Sequence, residues 1–273
     1  MSSVAPPTSM VLRWQDGLLQ LLEPGDAGGS SIVAADSWLV SDGLVLGLDL
    51  HRARFRAAVR ERPDLEPFWA AVLGMIPRHG DWFPRVELRE RRGTSLLAFR
   101  HRSAPARSRS VVLATHHGAD PRTRPTVKGP DLEAMSRLRA EAQQRNAGEA
   151  VILSPEGFVI EGAHSAMLWW RGDTLCAPAQ DLERIDSVTA RTTLTLASAL
   201  GLEVLAESVT PDDLDGLEVW ALSALHGIRV VTGWVDGPQT AEQPGRAQVW
   251  RRRLGKLARP LPQSSPPLTT LGE

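Results

Sequence analysis

The sequence predicts a mixed α/β (α+β) fold in two domains, and three observations support this prediction. Short apolar runs alternate with amphipathic segments in the first 120 residues, and the same alternation returns later in the chain. The chain has 273 residues, of which 42% are hydrophobic, so it can bury two modest cores. Residues 115–130, rich in proline and charge, separate the two parts. We therefore expect a small N-terminal α/β domain over residues 1–120 and a larger, β-rich α/β domain over residues 121–258.

The N-terminal part is predicted to contain hairpins and two helices. Asp16-Gly17 and residues 41–43 are turn signals between short apolar runs, which is typical of β-hairpins. Apolar residues recur at helical spacing over residues 49–60 and 64–76, and Pro77 ends the second pattern. The predicted strands are 10–14, 18–22, 32–40, 44–48, 86–88, 96–99 and 111–114.

The C-terminal part is predicted to begin with a helix that Asp131 caps. Two more helices are expected, over residues 187–200 and over the short segment 210–217. Residues 259–273 are rich in Pro, Ser and Thr, and we expect them to form a disordered tail. The predicted strands are 150–153, 158–160, 166–170, 175–177, 204–209, 219–222 and 228–231.

Composition excludes several classes of protein. The 31 basic and 32 acidic residues give a net charge of −1, whereas proteins that bind nucleic acids or membrane surfaces carry a strong basic bias. No apolar run approaches the ~20 residues that span a bilayer, and residues 1–7 lack the pattern of an export signal. The single cysteine, Cys176, excludes a disulfide framework and a Cys-rich metal site. We expect a soluble, cytoplasmic protein without a metal.

Lysine usage singles out one residue. Of the 31 basic residues only Lys128 and Lys256 are lysines, and tyrosine is absent. Codon bias in a GC-rich genome explains the general skew. A lysine kept against this bias is a candidate for chemistry that arginine cannot perform, such as forming a Schiff base. Lys256 follows a run of arginines in a stretch that we expect to be solvated. Lys128 is therefore the lysine whose retention needs a chemical explanation.

Three further features combine with Lys128 into a candidate site. Glu161 ends a predicted strand and precedes Gly162, which permits close approach of the backbone. Ser187-Val188-Thr189 opens a predicted helix, where free N–H groups and the helix dipole favour a phosphate. Arg54 could clamp that phosphate bidentately. A lysine for a covalent bond, an acid for a ring nitrogen and donors for a phosphate are what pyridoxal 5′-phosphate requires.

Each of these residues also has an ordinary structural interpretation. Arg54 lies in an arginine-rich helix and could be a solvated charge. Glu161 could be a turn carboxylate, and Ser187 and Thr189 could be plain helix caps. The hypothesis therefore depends on the order and spacing of the residues along the chain.

That order resembles the class IV aminotransferase family of fold-type IV pyridoxal-phosphate enzymes over residues 10–240. Residues 51–55 (His-Arg-Ala-Arg-Phe) resemble the helix motif whose arginine binds the phosphate, and residues 128–132 resemble the segment of the Schiff-base lysine. Residues 157–162 resemble the hairpin with the Glu-Gly pair, and Ser187-Val188-Thr189 resembles the phosphate turn. The family's late segment is similar to residues 218–228, which include Ser223 and Ala224.

The resemblance implies a fold-type IV architecture, a homodimer, a site between the two domains and pyridoxal 5′-phosphate as the cofactor. It implies that Lys128 is catalytic and that the substrate is a small molecule with an amino group and a carboxylate. The residues implied to bind the cofactor are Arg54, Lys128, Glu161, Ser187, Val188, Thr189, Ser223 and Ala224.

Three residues are candidates for substrate binding. Arg85 lies on the strand where family members place substrate-contacting residues, and it would suit a carboxylate. His116 could face the cleft or be solvated; as a metal ligand it lacks nearby carboxylates, and its neighbour His117 cannot easily share one ion with it. His226 could contact the substrate or only shape a turn.

The reaction stays open among three alternatives. Ser223-Ala224-Leu225 resembles 4-amino-4-deoxychorismate lyase more than the branched-chain aminotransferases, which favours pyruvate elimination giving 4-aminobenzoate. The second alternative is a branched-chain or D-amino-acid aminotransferase. The third is a family-fold binding or regulatory protein without cofactor. The chain lacks the tyrosine that commonly contacts the cofactor, and Ala224 stands where aminotransferases have a phosphate-binding threonine.

Overall fold

A computed structural model describes residues 9–22 and 29–262 of the chain, which contain seventeen strands and five helices. The helices are α1 Leu48–Val59, α2 Leu65–Met75, α3 Leu132–Gln144, α4 Val188–Ala199 and α5 Arg246–Gly255. The strands are β1 Ser9–Gln15, β2 Leu18–Leu21, β3 Ser31–Ser37, β4 Val40–Ser41, β5 Leu44–Val45, β6 Asp81–Trp82, β7 Arg85–Arg91, β8 Thr94–Arg102, β9 Ser110–Thr115, β10 Glu149–Leu153, β11 Val159–Gly162, β12 Ala166–Arg171, β13 Thr174–Pro178, β14 Val204–Glu207, β15 Glu218–Ser223, β16 Gly227–Val235 and β17 Arg259–Pro260.

The first part of the chain forms an antiparallel sheet with the order β2-β1-β8-β7-β3. The predicted hairpin at Asp16-Gly17 is confirmed, with Gln15 paired to Leu18. One face of this sheet is apolar and packs on α1 and α2, because side chains alternate between the two faces of a strand. Phe55 of α1 and Phe68 of α2 are almost fully buried in this core.

The predicted disordered tail over residues 259–273 is wrong at its start. Strand β17 pairs with β5 in a small sheet of order β17-β5-β4-β6. Leu261 donates its backbone N–H to the carbonyl of Gly43 at 2.8 Å, and its side chain is buried in the first core. This single buried apolar side chain therefore anchors the start of the proline-rich segment to the first core. The composition of the segment does not reveal that contact. Residues 263–273 lie outside the described residues.

The second part of the chain forms a mixed sheet of eight strands in the order β11-β10-β9-β16-β15-β12-β13-β14. The pairs β9–β10, β9–β16 and β13–β14 are parallel, and the others are antiparallel. Strand β9 precedes residue 120 yet lies inside this sheet. The division of the chain into domains at residue 120 stays a prediction.

Helices α3, α4 and α5 pack on the eight-stranded sheet. The basic residues Arg252, Arg253 and Lys256 are exposed, as expected for a solvated stretch, but the arginines belong to helix α5, whose other face, formed by Ala247, Trp250 and Leu254, is buried. Trp250 contacts Trp170 and Trp220, with ring centroids 5.6 and 6.0 Å away. The segment expected as a short helix over residues 210–217 forms only a 3₁₀ turn. None of the described helices is long and apolar enough to cross a membrane.

Candidate active site

A cleft lies where α1, the loop before α3, strand β11, the start of α4 and the end of β15 meet. These five pieces come from distant parts of the sequence, and each contributes a residue that the sequence singled out. The predicted residues that line the cleft together are Arg54, Lys128, Glu161, Ser187, Val188, Thr189, Ser223 and Ala224.

Lys128 lies in the loop before α3 and is held by strand β3. Its carbonyl accepts the backbone N–H of Ala35 at 2.6 Å. The next residue, Gly129, has a φ of +133°, and a Cβ there would lie 2.6 Å from the backbone of Ala34 and Ala35. Only glycine permits this close contact between the loop and the strand. The strand therefore fixes where the lysine enters the cleft.

The environment of Lys128 favours its neutral, nucleophilic form. Burial in the cleft is the largest cause that lowers the pKa of Lys128, which falls to about 8. The positive charges of Arg54 and Arg85 act in the same direction, and the carboxylates of Asp36 and Glu161 oppose them. A lysine with this pKa has a useful neutral fraction near neutral pH and can exchange a proton with a bound molecule.

Glu161 lies at the end of β11 with its side chain buried against Arg122. Arg122 Nη1 donates to Glu161 Oε1 at 2.5 Å, and the other donors of the same guanidinium bind Asp120 at 2.7–3.0 Å. Burial raises the pKa of Glu161 to about 7, while Arg122 and the backbone N–H of Ile185 lower it. A carboxyl group with this pKa can share a proton with a weakly basic ring nitrogen.

The start of α4 and the side chain of Arg54 form the anion-binding end of the cleft. Ser187 is the N-cap of α4, and its hydroxyl accepts the N–H of Ala190 at 3.3 Å, as predicted for a cap. Arg54 Nη1 donates to the carbonyl of Asp186 at 2.7 Å, so the guanidinium lies beside this helix start. The first turn of a helix has backbone N–H groups without intrahelical partners, and these favour a phosphate.

Three predicted substrate residues lie outside the lining of this cleft. Arg85 pairs with Glu87 at 2.6 Å, although its charge still acts on Lys128. His116 follows β9, where Nε2 lies 3.3 Å from the carbonyl of Ala119. His226 lies in the turn between β15 and β16, and its Nδ1 accepts the N–H of Ser108 at 3.1 Å. The structure does not bring these three side chains together, and their roles stay predictions.

The structure also reveals residues that the sequence did not single out. Arg122 and His164 line the cleft, and Asp36 lies buried behind it in contact with His51 and Arg54. A chain with 31 basic residues, nearly all arginines, offers no signal that separates Arg122 from the rest. The proximity of Asp36 to Arg54 depends on the packing of β3 against α1.

The donor set of the cleft fits pyridoxal 5′-phosphate. It supplies an amine of lowered pKa for the aldehyde, a carboxyl group for the ring nitrogen, and a guanidinium beside a helix start for the phosphate. Among residues 9–22 and 29–262 no group of three or more His, Cys, Asp or Glu side chains is arranged to hold a metal ion.

The fold of the chain is similar to the folds of several solved transaminase structures. A fold IV-transaminase from Curtobacterium pusillum superposes with a TM-score of 0.75 at 17% identity, covering 90% of this chain and 97% of that one. A branched-chain aminotransferase from Thermoproteus uzoniensis gives 0.76 at 20% identity, covering 93% and 100%. The PLP-bound form of a hypothetical aminotransferase from Mycobacterium tuberculosis gives 0.72 at 19% identity, covering 92% and 98%. These similarities confirm the predicted fold-type IV architecture.

Sequence comparisons identify the family. A branched-chain-amino-acid aminotransferase from Pseudomonas aeruginosa is 28% identical over 106 residues, which span 39% of this chain and 34% of that protein. The model of the family Amino-transferase class IV matches residues 34–234. That range contains Arg54, Lys128, Glu161 and the start of α4. The chain therefore belongs to the class IV aminotransferase family.

Proposed function

We propose that the protein is a pyridoxal-phosphate-dependent aminotransferase that acts on small amino acids and 2-oxo acids. The observation that carries this proposal is the convergence of Lys128, Glu161, Arg54 and the start of α4 on one cleft. Membership of the family supports it, and so do the names of the similar proteins, which include branched-chain aminotransferases and a PLP-bound structure.

When bound, pyridoxal 5′-phosphate supplies an electron sink for negative charge at the substrate carbon that carries the amino group. Arg54 and the N–H groups at the start of α4 would bind its phosphate. Lys128 Nζ would hold its aldehyde carbon. With substrate bound, the neutral Lys128 Nζ is the group that would take a proton from the substrate carbon and later give it back. Glu161 would hold a proton at the ring nitrogen.

The complete reaction exchanges an amino group for a carbonyl oxygen between two substrates. One amino acid leaves as its 2-oxo acid, and a second 2-oxo acid leaves as its amino acid, so no external oxidant or reductant is consumed. Lys128 would serve both halves, because each half needs one proton to be taken up and released, and a neutral amine can do both.

Positive charge near the cleft supports a carboxylate substrate. Arg85, Arg89 and Arg100 surround the buried carboxylate of Glu87, with N–O distances of 2.6, 2.6 and 3.4 Å. Within this cluster of described residues, three guanidinium groups share one carboxylate, so positive charge is in excess. Arg85 is close enough to lower the pKa of Lys128. We infer that this excess positive charge attracts the carboxylate of the substrate toward the lysine.

A lyase reaction is the second candidate, because Ser223 and Ala224 line the cleft and resemble the lyase segment. In that reaction Lys128 would remove the proton from the ring carbon that carries the amino group of aminodeoxychorismate. The carbon–oxygen bond then breaks, the oxygen keeps the electron pair, and protonation releases pyruvate and 4-aminobenzoate. No 2-oxo acid acceptor takes part.

The dependence on an acceptor separates the two reactions. We expect the purified protein, supplied with cofactor and a panel of amino acids, to form more than one equivalent of the corresponding 2-oxo acids per enzyme only when a second 2-oxo acid is added. Lys128→Ala should abolish this activity, and Lys256→Arg should retain it. Release of 4-aminobenzoate and pyruvate from aminodeoxychorismate without an acceptor would instead establish the lyase. Failure of the wild-type protein to bind cofactor would favour the third alternative, a cofactor-free binding or regulatory protein.

A further inference from the structure

A buried carboxylate lies directly behind the predicted phosphate-binding arginine. Asp36 of β3 is fully buried and contacts His51 Nδ1 at 2.7 Å, Arg54 Nε at 2.7 Å and Arg54 Nη2 at 2.9 Å. Burial alone would raise the pKa of this carboxyl, but His51 and Arg54 hold it well below its usual range. Asp36 is therefore ionised at neutral pH, and it accepts two hydrogen bonds from one edge of the Arg54 guanidinium.

This contact determines which donors of Arg54 remain for a ligand. A guanidinium has five N–H groups in a rigid plane. Two of them bind Asp36 and one binds the carbonyl of Asp186 at 2.7 Å. His51 Nδ1 lies 3.5 Å from Arg54 Nη2, but it donates to the ionised Asp36 and so cannot also accept, which leaves one N–H on each η nitrogen. The start of α4 follows Asp186 immediately. The remaining donors and the helix start can then meet the same phosphate.

The neighbouring residue on β3 holds the lysine. The N–H of Ala35 binds the carbonyl of Lys128 at 2.6 Å, and Gly129 packs against Ala34 and Ala35 without room for a side chain. Two consecutive residues of one strand therefore contact the two ends of the cleft. Ala35 fixes the lysine backbone, and Asp36 fixes the guanidinium.

We propose that Asp36 is a positioning residue that orients Arg54 toward the phosphate of the cofactor, so that strand β3 sets the spacing between the phosphate site and Lys128. This inference rests on the proposed function. It gives Asp36 a role in phosphate recognition that a carboxylate serving only to stabilise the fold would lack.

Comparing the affinities of the protein for two aldehydes distinguishes a role of Asp36 in phosphate recognition from a purely structural role. Pyridoxal has the same ring and aldehyde as pyridoxal 5′-phosphate but no phosphate. We expect Asp36→Asn to raise the Kd for pyridoxal 5′-phosphate about tenfold or more, the scale of one charge-assisted contact, and to leave the Kd for pyridoxal within about twofold. Asp49→Asn, an exposed carboxylate at the start of α1, is the matched control and should change neither Kd. An equal loss for both aldehydes would overturn the proposal.

Two further variants test the same contact from the arginine side. In an Arg54→Gln background, Asp36→Asn should cause no additional loss of affinity for pyridoxal 5′-phosphate, because the carboxylate acts through the arginine. Arg54→Lys keeps the charge but lacks the planar fork that Asp36 grips, so it should lose affinity almost as strongly as Arg54→Gln. Additive losses, or wild-type affinity in Arg54→Lys, would contradict the positioning role. If Asp36→Asn fails to fold, Asp36→Glu replaces it in both comparisons, and a loss confined to pyridoxal 5′-phosphate is again the expected result.

The wild-type measurement distinguishes the two proposals. Wild-type protein that binds neither aldehyde overturns the proposed function together with this inference. Wild-type protein that binds pyridoxal 5′-phosphate while the ratio of the two affinities is unchanged in Asp36→Asn overturns the role of Asp36 alone.

Discussion

In the proposed function, Glu161 is the partner of the cofactor's ring nitrogen. Its carboxylate lines the cleft, is buried and is held by Arg122. Glu161→Gln removes the charge that holds the ring proton and nearly preserves the shape. We expect bound cofactor to survive, because Arg54 and the start of α4 remain, while turnover falls by about 100-fold or more, equivalent to ~2.7 kcal/mol in the barrier.

The visible absorbance of bound cofactor and steady-state turnover check this expectation together. Glu156→Gln, at the exposed turn of the same hairpin, is the matched control and should behave as wild type. Wild-type turnover in Glu161→Gln with cofactor bound would show that the carboxylate has no part in the chemistry.

Arg122 lowers the pKa of Glu161, whereas burial raises it. This opposition leads to a prediction about the pH dependence of activity. Burial is the largest influence on the pKa of Glu161 and raises it, whereas the charge and hydrogen bond of Arg122 lower it. The pKa that results from both effects is about 7. In Arg122→Gln that opposition is lost, so the pKa of Glu161 rises further and less of the carboxylate is ionised at pH 7. Activity should fall at pH 7 and recover partly as the pH is raised, which moves the acid limb of the pH–rate profile to higher pH.

The exposed Arg137 on α3 provides the control for this profile, since Arg137→Gln removes one arginine charge that is not among the causes of the shifted pKa of Glu161. An acid limb that stays in place or moves to lower pH in Arg122→Gln would contradict the assignment.

The sequence predicted some of these residues and not others, for identifiable reasons. Lys128 stood out because lysine is rare in this chain, and Glu161 stood out because a glycine follows it at a strand end. Arg122 lies among many similar arginines. Asp36 contacts Arg54 across eighteen positions of sequence, through packing that no local pattern encodes.

At the scale of elements, the contact between β3 and the loop before α3 leaves no room for a side chain. A Cβ on Gly129 would lie 2.6 Å from the backbone of Ala34 and Ala35, closer than real Cβ contacts. Gly129→Ala should therefore push the loop away from the strand and displace Lys128. We expect a lower melting temperature and weaker cofactor binding.

Gly157 provides the control for this substitution. It also has a positive φ, but a Cβ there would meet nothing within 4 Å. Gly157→Ala should show only the penalty of a left-handed backbone, about 1–2 kcal/mol. Equal effects of the two substitutions on stability and on cofactor affinity would exclude a special role for the contact between β3 and the loop.

The elements themselves were largely predictable, with an instructive exception. The apolar spacing identified α1, α2 and the helix after Ser187 within one or two residues. Helix α5 was missed because four arginines mask an apolar face of Ala247, Trp250 and Leu254. Asp131 precedes α3 as expected, but its carboxylate binds the N–H groups of Thr123 and Arg124 and so ties down the loop that carries Lys128.

At the scale of the whole molecule, the family could be predicted and the sheet order could not. The motifs keep their order along the chain, and local patterns suffice to find them. The parallel pairs of β9 with β10 and β16 join strands far apart in sequence, so only the assembled core determines their register. The domain boundary and the homodimer stay predictions.

Peptide mapping after borohydride reduction tests most directly whether Lys128 holds the cofactor. The chain has only two lysines, so the result is unusually clear. Incubation with pyridoxal 5′-phosphate, reduction and digestion should place a phosphopyridoxyl group on the peptide that contains Lys128. Lys256→Arg should leave that label unchanged, and Lys128→Arg should abolish it. A label on Lys256 alone, or equal labelling of both lysines, would contradict the assignment of the cleft.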